Sequence, residues 1–261
     1  MRVGVIGAAG RMGSTVCAAV DSAQDLDLVA AVDPAGAGAG GAGGTRPRRA
    51  IAATLEALSA GGAEVAVDFT APGAAVPNAL WCARRGIHAV IGTTGVDERG
   101  LAELAAAFPA AGPLGCVVAP NFAIGAVLMM RFAEMAAPWF DSAEVVELHH
   151  DQKADAPSGT ALLTARRMAA ASGDWAPDPT RVEALPGARG ASGPAGIRIH
   201  AVRLRGLVAH QEVLLGGLGQ TLTIRHDSYD RQSFMPGVLL AVRQVASRPG
   251  LTVGLETLLG I

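Results

Sequence analysis

The run Glu147-Leu148-His149-His150-Asp151-Gln152-Lys153-Ala154-Asp155-Ala156-Pro157-Ser158-Gly159-Thr160-Ala161-Leu162 holds the densest chemistry in the sequence. Two histidines stand at the end of an apolar stretch, a lysine follows three residues later, and Pro-Ser-Gly-Thr reads as the start of a helix. Histidine titrates near neutrality and can give up a proton in a reaction. Lysine and the backbone N–H groups of Gly159 and Thr160 can hold carboxylates, the latter because a helix N-terminus attracts anions. One loop thus offers a proton donor and an anion cradle. A metal site is disfavoured because adjacent histidines on a strand point to opposite faces. For a lone His-His pair, the ordinary reading is a solvated polar loop.

A second motif stands near the N-terminus. Gly7-Ala8-Ala9-Gly10-Arg11-Met12-Gly13 follows an apolar stretch and opens a helical one. Its G-x-x-G-x-x-G spacing is a variant of the dinucleotide fingerprint, in which glycines let backbone approach a pyrophosphate at a helix N-terminus. A chain rich in Ala and Gly produces such spacing by chance, so the motif is weak alone. Asp33 strengthens it, standing twenty residues past Gly13 where an acidic side chain accepts hydrogen bonds from an adenine ribose. A carboxylate there repels a ribose 2′-phosphate and favours NADH. Arg11 can pair with such a phosphate, which leaves NADPH open.

These residues need elements to position them. Short apolar strands are predicted at Arg2–Ile6, Leu26–Val32, Glu64–Phe69, His88–Ile91 and Cys116–Ala119. Helices are predicted near Met12–Val20, Ala74–Arg85, Glu98–Phe108 and Ile124–Ala136. Such alternation argues for a parallel sheet covered on both faces. Gly92-Thr93-Thr94-Gly95 and Ala119-Pro120-Asn121-Phe122 each follow a strand, where ligands of open α/β sheets bind; each is equally readable as an ordinary turn. Pro34–Arg49 is a Gly/Ala tract, expected to be a mobile surface loop.

Beyond Asn121 the pattern changes. A strand at Ser142–His149 and a helix at Gly159–Ala171 precede three strands, Ile197–Leu204, His210–Leu215 and Thr221–Arg225, which suggests a mixed sheet. Gln232–Ala246 reads as an amphipathic helix with Phe234, Val238, Leu239, Val242 and Val245 inward. The expected domains are 1–121 and 122–235, with a helix in 236–261 returning to the first.

Composition narrows the function classes. The 261 residues carry a net charge of −2, so no basic field argues for nucleic acid. Hydrophobic residues make up 50 %, but no long uninterrupted apolar run argues for a membrane span. The N-terminus does not read as a signal peptide. Cys17, Cys82 and Cys116 are odd in number and widely spaced, which fits a reducing compartment and no zinc site. A cytoplasmic globular protein is expected.

The run from Glu147 to Ala161 closely resembles the signature of the dihydrodipicolinate reductase family, also called 4-hydroxy-tetrahydrodipicolinate reductase, which serves diaminopimelate and lysine biosynthesis. The resemblance covers essentially the whole chain and is nearest to shorter, actinobacterial-type members. It includes Gly7–Gly13, Asp68-Phe69-Thr70, Gly92–Gly95, Ala119–Phe122 and Arg225-His226-Asp227-Ser228, with Arg231 and Phe234 nearby. It implies an α/β protein with a Rossmann-like N-terminal domain and a C-terminal mixed α/β domain, whose open sheet assembles a homotetramer. It implies that His149 is the catalytic acid and Lys153 a second proton donor. It assigns His150, Lys153, Gly159 and Thr160 to a small dicarboxylate substrate. It assigns Gly7, Ala8, Ala9, Gly10, Arg11, Met12, Asp33, Gly92, Thr93, Thr94, Ala119, Pro120, Asn121 and Phe122 to NADH or NADPH. Some relatives carry a basic residue at the position of Ala9, and others an Arg at that of Pro34; their absence here points to NADH. The implied reaction reduces a cyclic imine dicarboxylate, hydroxylated or dehydrated.

Two rivals are distinguishable. Another NAD-dependent amino acid or aldehyde dehydrogenase is one, and the aldehyde enzyme needs a nucleophilic Cys; Cys116 reads instead as a buried strand residue. A non-catalytic NADH-binding redox sensor is the other, and it leaves His149, Lys153 and Gly159-Thr160 without a role.

Overall fold

The computed structural model describes residues 1–37 and 50–261. Its elements run β1 (Arg2–Ile6), α1 (Arg11–Ser22), β2 (Asp27–Val32), β3 (Ile51–Ala52), α2 (Glu56–Ala60), β4 (Val65–Asp68), α3 (Pro72–Ala83), β5 (His88–Ile91), α4 (Glu98–Ala110) and β6 (Gly115–Val118). They continue with α5 (Ile124–Ala136), β7 (Ser142–His149), α6 (Gly159–Ala171), β8 (Ala191–Ser192), β9 (Arg198–Arg203), β10 (Ala209–Gly217), β11 (Gln220–Ser228), α7 (Met235–Gln244), β12 (Gly250–Val253) and α8 (Glu256–Leu259). Two compact units result: Met1–Ile124 with Arg231–Ile261, and Gly125–Asp230.

The first unit is built on a seven-stranded sheet in the order β12-β6-β5-β4-β1-β2-β3, with parallel neighbours throughout. Its strands have few polar residues because helices cover both faces. From β1 the chain steps one way to β2, and from β4 the other way to β5 and β6. Right-handed crossovers therefore put α1 on one face and α3 and α4 on the opposite one. Leu58, Cys82, Leu104 and Phe108 from α2–α4 pack on strand residues such as Ile6, Val32, Ile91 and Val118. The order reverses between β1 and β4, and the crevice beyond their carboxyl ends is where such sheets take ligands.

The C-terminal stretch 236–261 is not one helix. Pro236 fits the first turn of α7, which a short 3-10 turn, Arg231–Phe234, precedes. Pro249 and Gly250, the latter at φ +87°, then break the helical path. Leu251, Thr252 and Val253 pair with β6 as an edge strand. Val238, Val242 and Val245 are buried as expected, but Phe234 and Leu239 are only half-buried, and Met235 and Ala241 take the remaining core positions. Of the Gly/Ala tract, Pro34–Gly36 form a 3-10 turn on which Asp33 accepts from Ala35 N at 2.9 Å; residues 38–49 lie outside the described residues.

His88 ties β5 to the start of β6. Its Nδ1 accepts from Gly115 N at 2.9 Å, which requires that nitrogen to be unprotonated. Burial pushes its pKa below the ordinary histidine value, although Glu64 opposes this. The contribution to stability is therefore full above the unfolded pKa near 6.5 and is lost as pH falls through the lower folded value. Urea unfolding at pH 7.5 and pH 5 is expected to show that loss. His88→Asn, an acceptor that gains no charge, should flatten it; an unchanged slope would remove His88 from the account.

The second unit carries a five-stranded mixed sheet, β11-β10-β7-β9-β8. β10 is antiparallel to β7 and β11, whereas β7 and β9 run parallel. Buried Val145, Ile199, Val213 and Leu215 share one face with Gln211, whose Nε2 donates to Thr164 Oγ1 of α6 at 2.8 Å. Alternation sends Leu214, Thr223, Glu144 and Arg198 to the other face.

Candidate active site

The nucleotide half lies in the first unit. Gly7 takes φ +81°, and a Cβ there would stand 2.6 Å from Phe69 O. A Cβ on Gly13 would stand 2.0 Å from Gly7 O, so this glycine lets α1 close on the end of β1. Gly10 caps α1 with no side-chain hydrogen bond, and the first turn carries no acidic residue. That end of the helix is an open anion cradle of the kind that takes a pyrophosphate. Ala8 is buried, Ala9, Gly10 and Arg11 are exposed, and Met12 is half-buried. Asp33 follows β2, and its Oδ2 accepts from Ala9 N at 3.0 Å, which places the carboxylate beside the glycine loop.

The other two loops stand on the same edge. Thr93 Oγ1 donates to Asp68 Oδ1 at 3.1 Å, and Gly92 N donates to Asp68 O at 2.9 Å. Asp68, buried at the end of β4, also accepts from Thr70 N, Thr70 Oγ1 and Asn78 Nδ2. It is a knot that fixes the 92–95 turn. Thr94 is exposed. Ala119 N donates to Ile91 O at 3.1 Å, Pro120 is exposed, and Asn121 Oδ1 accepts from Ala123 N at 2.8 Å. Phe122 is buried and its ring lies 5.8 Å from that of Phe69, so its side chain belongs to the core.

The chemical loop lies in the second unit. His149 ends β7, and its Nδ1 lies 2.5 Å from Glu147 Oε2. Burial, with Lys153 and Arg203 nearby, holds its pKa below the ordinary value against the pull of Glu147. Glu147 is 0 % exposed. Burial raises its pKa, but Arg203, His149 and Ser158 N outweigh this and keep it below the usual carboxylate range. Arg203 grips both of its oxygens at 2.8 Å. His150 is exposed, and its carbonyl accepts from Lys153 N. Lys153 Nζ pairs with both oxygens of Asp155 at 2.7 and 2.8 Å. Ser158 caps α6 by accepting from Ala161 N at 3.2 Å, and Gly159 and Thr160 form its first turn. Lysine, histidine and helix start therefore come from one segment of about a dozen residues, held by one buried carboxylate.

Residues 1–122 match the domain family described as dihydrodipicolinate reductase, N-terminus, and residues 125–259 its C-terminus. This chain belongs to the dihydrodipicolinate reductase family. Curated relatives named 4-hydroxy-tetrahydrodipicolinate reductase from Nocardia farcinica and Mycobacterium marinum are each 52 % identical; the alignments cover 100 % of this chain and 99 and 100 % of theirs. A dipicolinate-bound dihydrodipicolinate reductase from Paenisporosarcina sp. TG-14 is 42 % identical, with a TM-score of 0.87 over 98 % of both chains. An amine dehydrogenase from Mycobacterium smegmatis, 14 % identical with a TM-score of 0.64, shares the fold alone.

Dihydrodipicolinate reductases draw on a nicotinamide nucleotide, and the open cradle at α1 with Asp33 beside it fits one. The aldehyde dehydrogenase rival finds no nucleophile here. Cys17, Cys82 and Cys116 are all buried, and burial pushes the first two thiols up to about 12 and that of Cys116 higher still. Among the described residues no helix is long and apolar enough to cross a membrane. Sequence reasoning passed over Arg203 and gave Glu147 no role. Arg203 faces His149 only through the parallel register of β7 and β9, which no local pattern discloses.

Proposed function

We propose that this protein reduces 4-hydroxy-tetrahydrodipicolinate, or its dehydrated form, to tetrahydrodipicolinate for lysine and diaminopimelate biosynthesis. The observation that carries the reading is a titratable imidazole and an open helix N-terminus on one loop, in a chain of this family. A nicotinamide nucleotide, held by the glycine loop and Asp33, would supply the hydride. Nε2 of His149 delivers the proton that completes the reduced ring. The first-turn amides of Gly159 and Thr160 hold one substrate carboxylate. Lys153 holds the other or assists protonation, with the substrate taking the place that Asp155 occupies beside its ammonium. His150, exposed at the start of the same loop, is read as a further substrate contact. Gly7 to Met12 and Asp33 take the dinucleotide, with Gly92–Thr94 and Ala119–Phe122 at its nicotinamide end.

Purified protein should oxidise NADH, followed by absorbance, when given the product of dihydrodipicolinate synthase. Dipicolinate, a planar dicarboxylate bound by the Paenisporosarcina relative, should compete. NADH binding without turnover would instead favour the sensor. The Asp33 carboxylate favours NADH over NADPH, and the ratio of kcat/KM for the two reads this directly. Thr160→Val is expected to raise the substrate KM several-fold at near-constant kcat. Weakened NADH binding in that variant would misplace the substrate end.

We infer a homotetramer built through the second sheet. The face bearing Leu214, Thr223 and Glu144 is the one turned away from α6, and Leu218 at the β10–β11 turn is 98 % exposed. Light scattering at the mass of one chain, 26.3 kDa, would overturn it.

A further inference from the structure

We propose that Glu147 is a positioning residue: clamped by Arg203, it fixes which nitrogen of His149 delivers the proton and holds that imidazole and the anion-binding helix to a common anchor. The inference rests on His149 being the acid of the reading above.

An ionised carboxylate has no proton to give. The 2.5 Å contact between Glu147 Oε2 and His149 Nδ1 therefore demands a hydrogen on Nδ1, which donates to the carboxylate. Nε2 is then the working nitrogen, protonated before the transfer and bare after it. A carboxylate at Nδ1 also stabilises the imidazolium that must form before each turnover. Glu147 is kept ionised for this although it is fully buried. Arg203 Nη1 and Nη2 each donate to one of its oxygens, a bidentate pair that fixes its plane. Arg203 Nη2 also donates to Asp155 O at 2.6 Å, which pins the loop carrying Lys153.

The second oxygen does a different task. Oε1 accepts from Ser158 N at 3.0 Å, immediately before the first turn of α6. Displacing this carboxylate moves both the acid and the cap of the anion cradle. The charged groups around His149 are Glu147 on its own strand, Arg203 on β9, and Lys153 with Asp155 on the loop. Of these, Glu147 is the one hydrogen-bonded to the ring.

Glu147→Gln tests the inference. The amide oxygen will take the Oε1 position, where it accepts from Arg203 Nη2 and Ser158 N, and the amide NH2 will take the Oε2 position, facing Arg203 Nη1 and His149 Nδ1. Its Nδ1 must then accept, the neutral ring switches to the Nε2–H form, and the imidazolium loses its support. The same exchange beneath the histidine of a Ser-His-Asp triad produces the wrong tautomer. Expected results are a kcat about 100-fold lower, a high-pH fall in kcat displaced to lower pH by about one unit, and an inverted neutral tautomer in the 15N spectrum of His149. Glu147→Asp, which restores the charge, should return the pH profile towards wild type. In the His149→Gln background Glu147→Gln should cost almost nothing further in kcat, because the amide oxygen keeps the Ser158 N contact and the remaining effect acts through the imidazole.

Wild-type kcat and pH profile in Glu147→Gln would overturn the inference while leaving the reductase reading intact, provided His149→Gln remains crippled. Absence of turnover by the wild type would remove the reading itself. Should the variant not fold, the wild-type spectrum still decides: a neutral His149 protonated on Nε2 contradicts the hydrogen bond on which everything here depends.

Discussion

His149→Gln is expected to lower kcat by about 10²–10⁴-fold, the span that a positioned general acid contributes. That corresponds to roughly 3–5 kcal/mol of transition-state stabilisation. The substrate KM should change little, because in the proposed reading Lys153 and the first turn of α6 hold the carboxylates. Nucleotide affinity should not change, since Gly7–Met12 and Asp33 belong to the other unit. Steady-state kinetics at saturating NADH separates these terms. A normal kcat with a raised KM would demote the imidazole to a binding group. Glutamine keeps polarity and nearly the same reach, so the loss reports the proton rather than a hole in the loop.

The second large effect is on folding. Gly13→Ala puts a methyl where Gly7 O stands 2.0 Å away and Gly7 C 2.6 Å away, and neither is the movable end of a side chain. α1 must lift from β1 or the turn must deform. Overpacking of this kind costs about 3 kcal/mol, which for a chain of this size lowers Tm by roughly 6–12 °C. NADH affinity should fall with it, because the same displacement moves the amides at the helix start. Gly10→Ala is the control: its nearest neighbour, Gly7 O, would be 3.2 Å away, and a milder loss is expected. Equal stability of wild type and Gly13→Ala would show that the glycine serves something other than close packing.

How much of this was legible beforehand differs by element. Apolar runs such as Val3–Ile6 and Ala89–Ile91 announce themselves, because strands buried on both faces need no polar residue. The helix from Gly159 is marked by Pro157 and Ser158, which favour a helix start for local reasons. The edge strand β12 was not legible. Four residues with little periodicity look like a helix tail until Gly250–Val253 is seen paired with Gly115–Val118. Ile51–Ala52 and Glu56–Ala60 are too short to carry a period at all.

The site divides in the same way. Local residue type and spacing suffice for the inventory of groups: two histidines, a lysine and a helix start within one loop, and glycines followed by Asp33. Tertiary structure alone decided that Arg203, fifty-four residues after His149, lies across from it and clamps Glu147, and that Asp68 knots the turn at Thr93. Both are polar contacts between segments far apart in the chain, one between β7 and β9 and one between the end of β4 and the turn after β5. Their existence depends on sheet register and strand order, which arise from packing the whole sheet and leave no periodic trace in the chain.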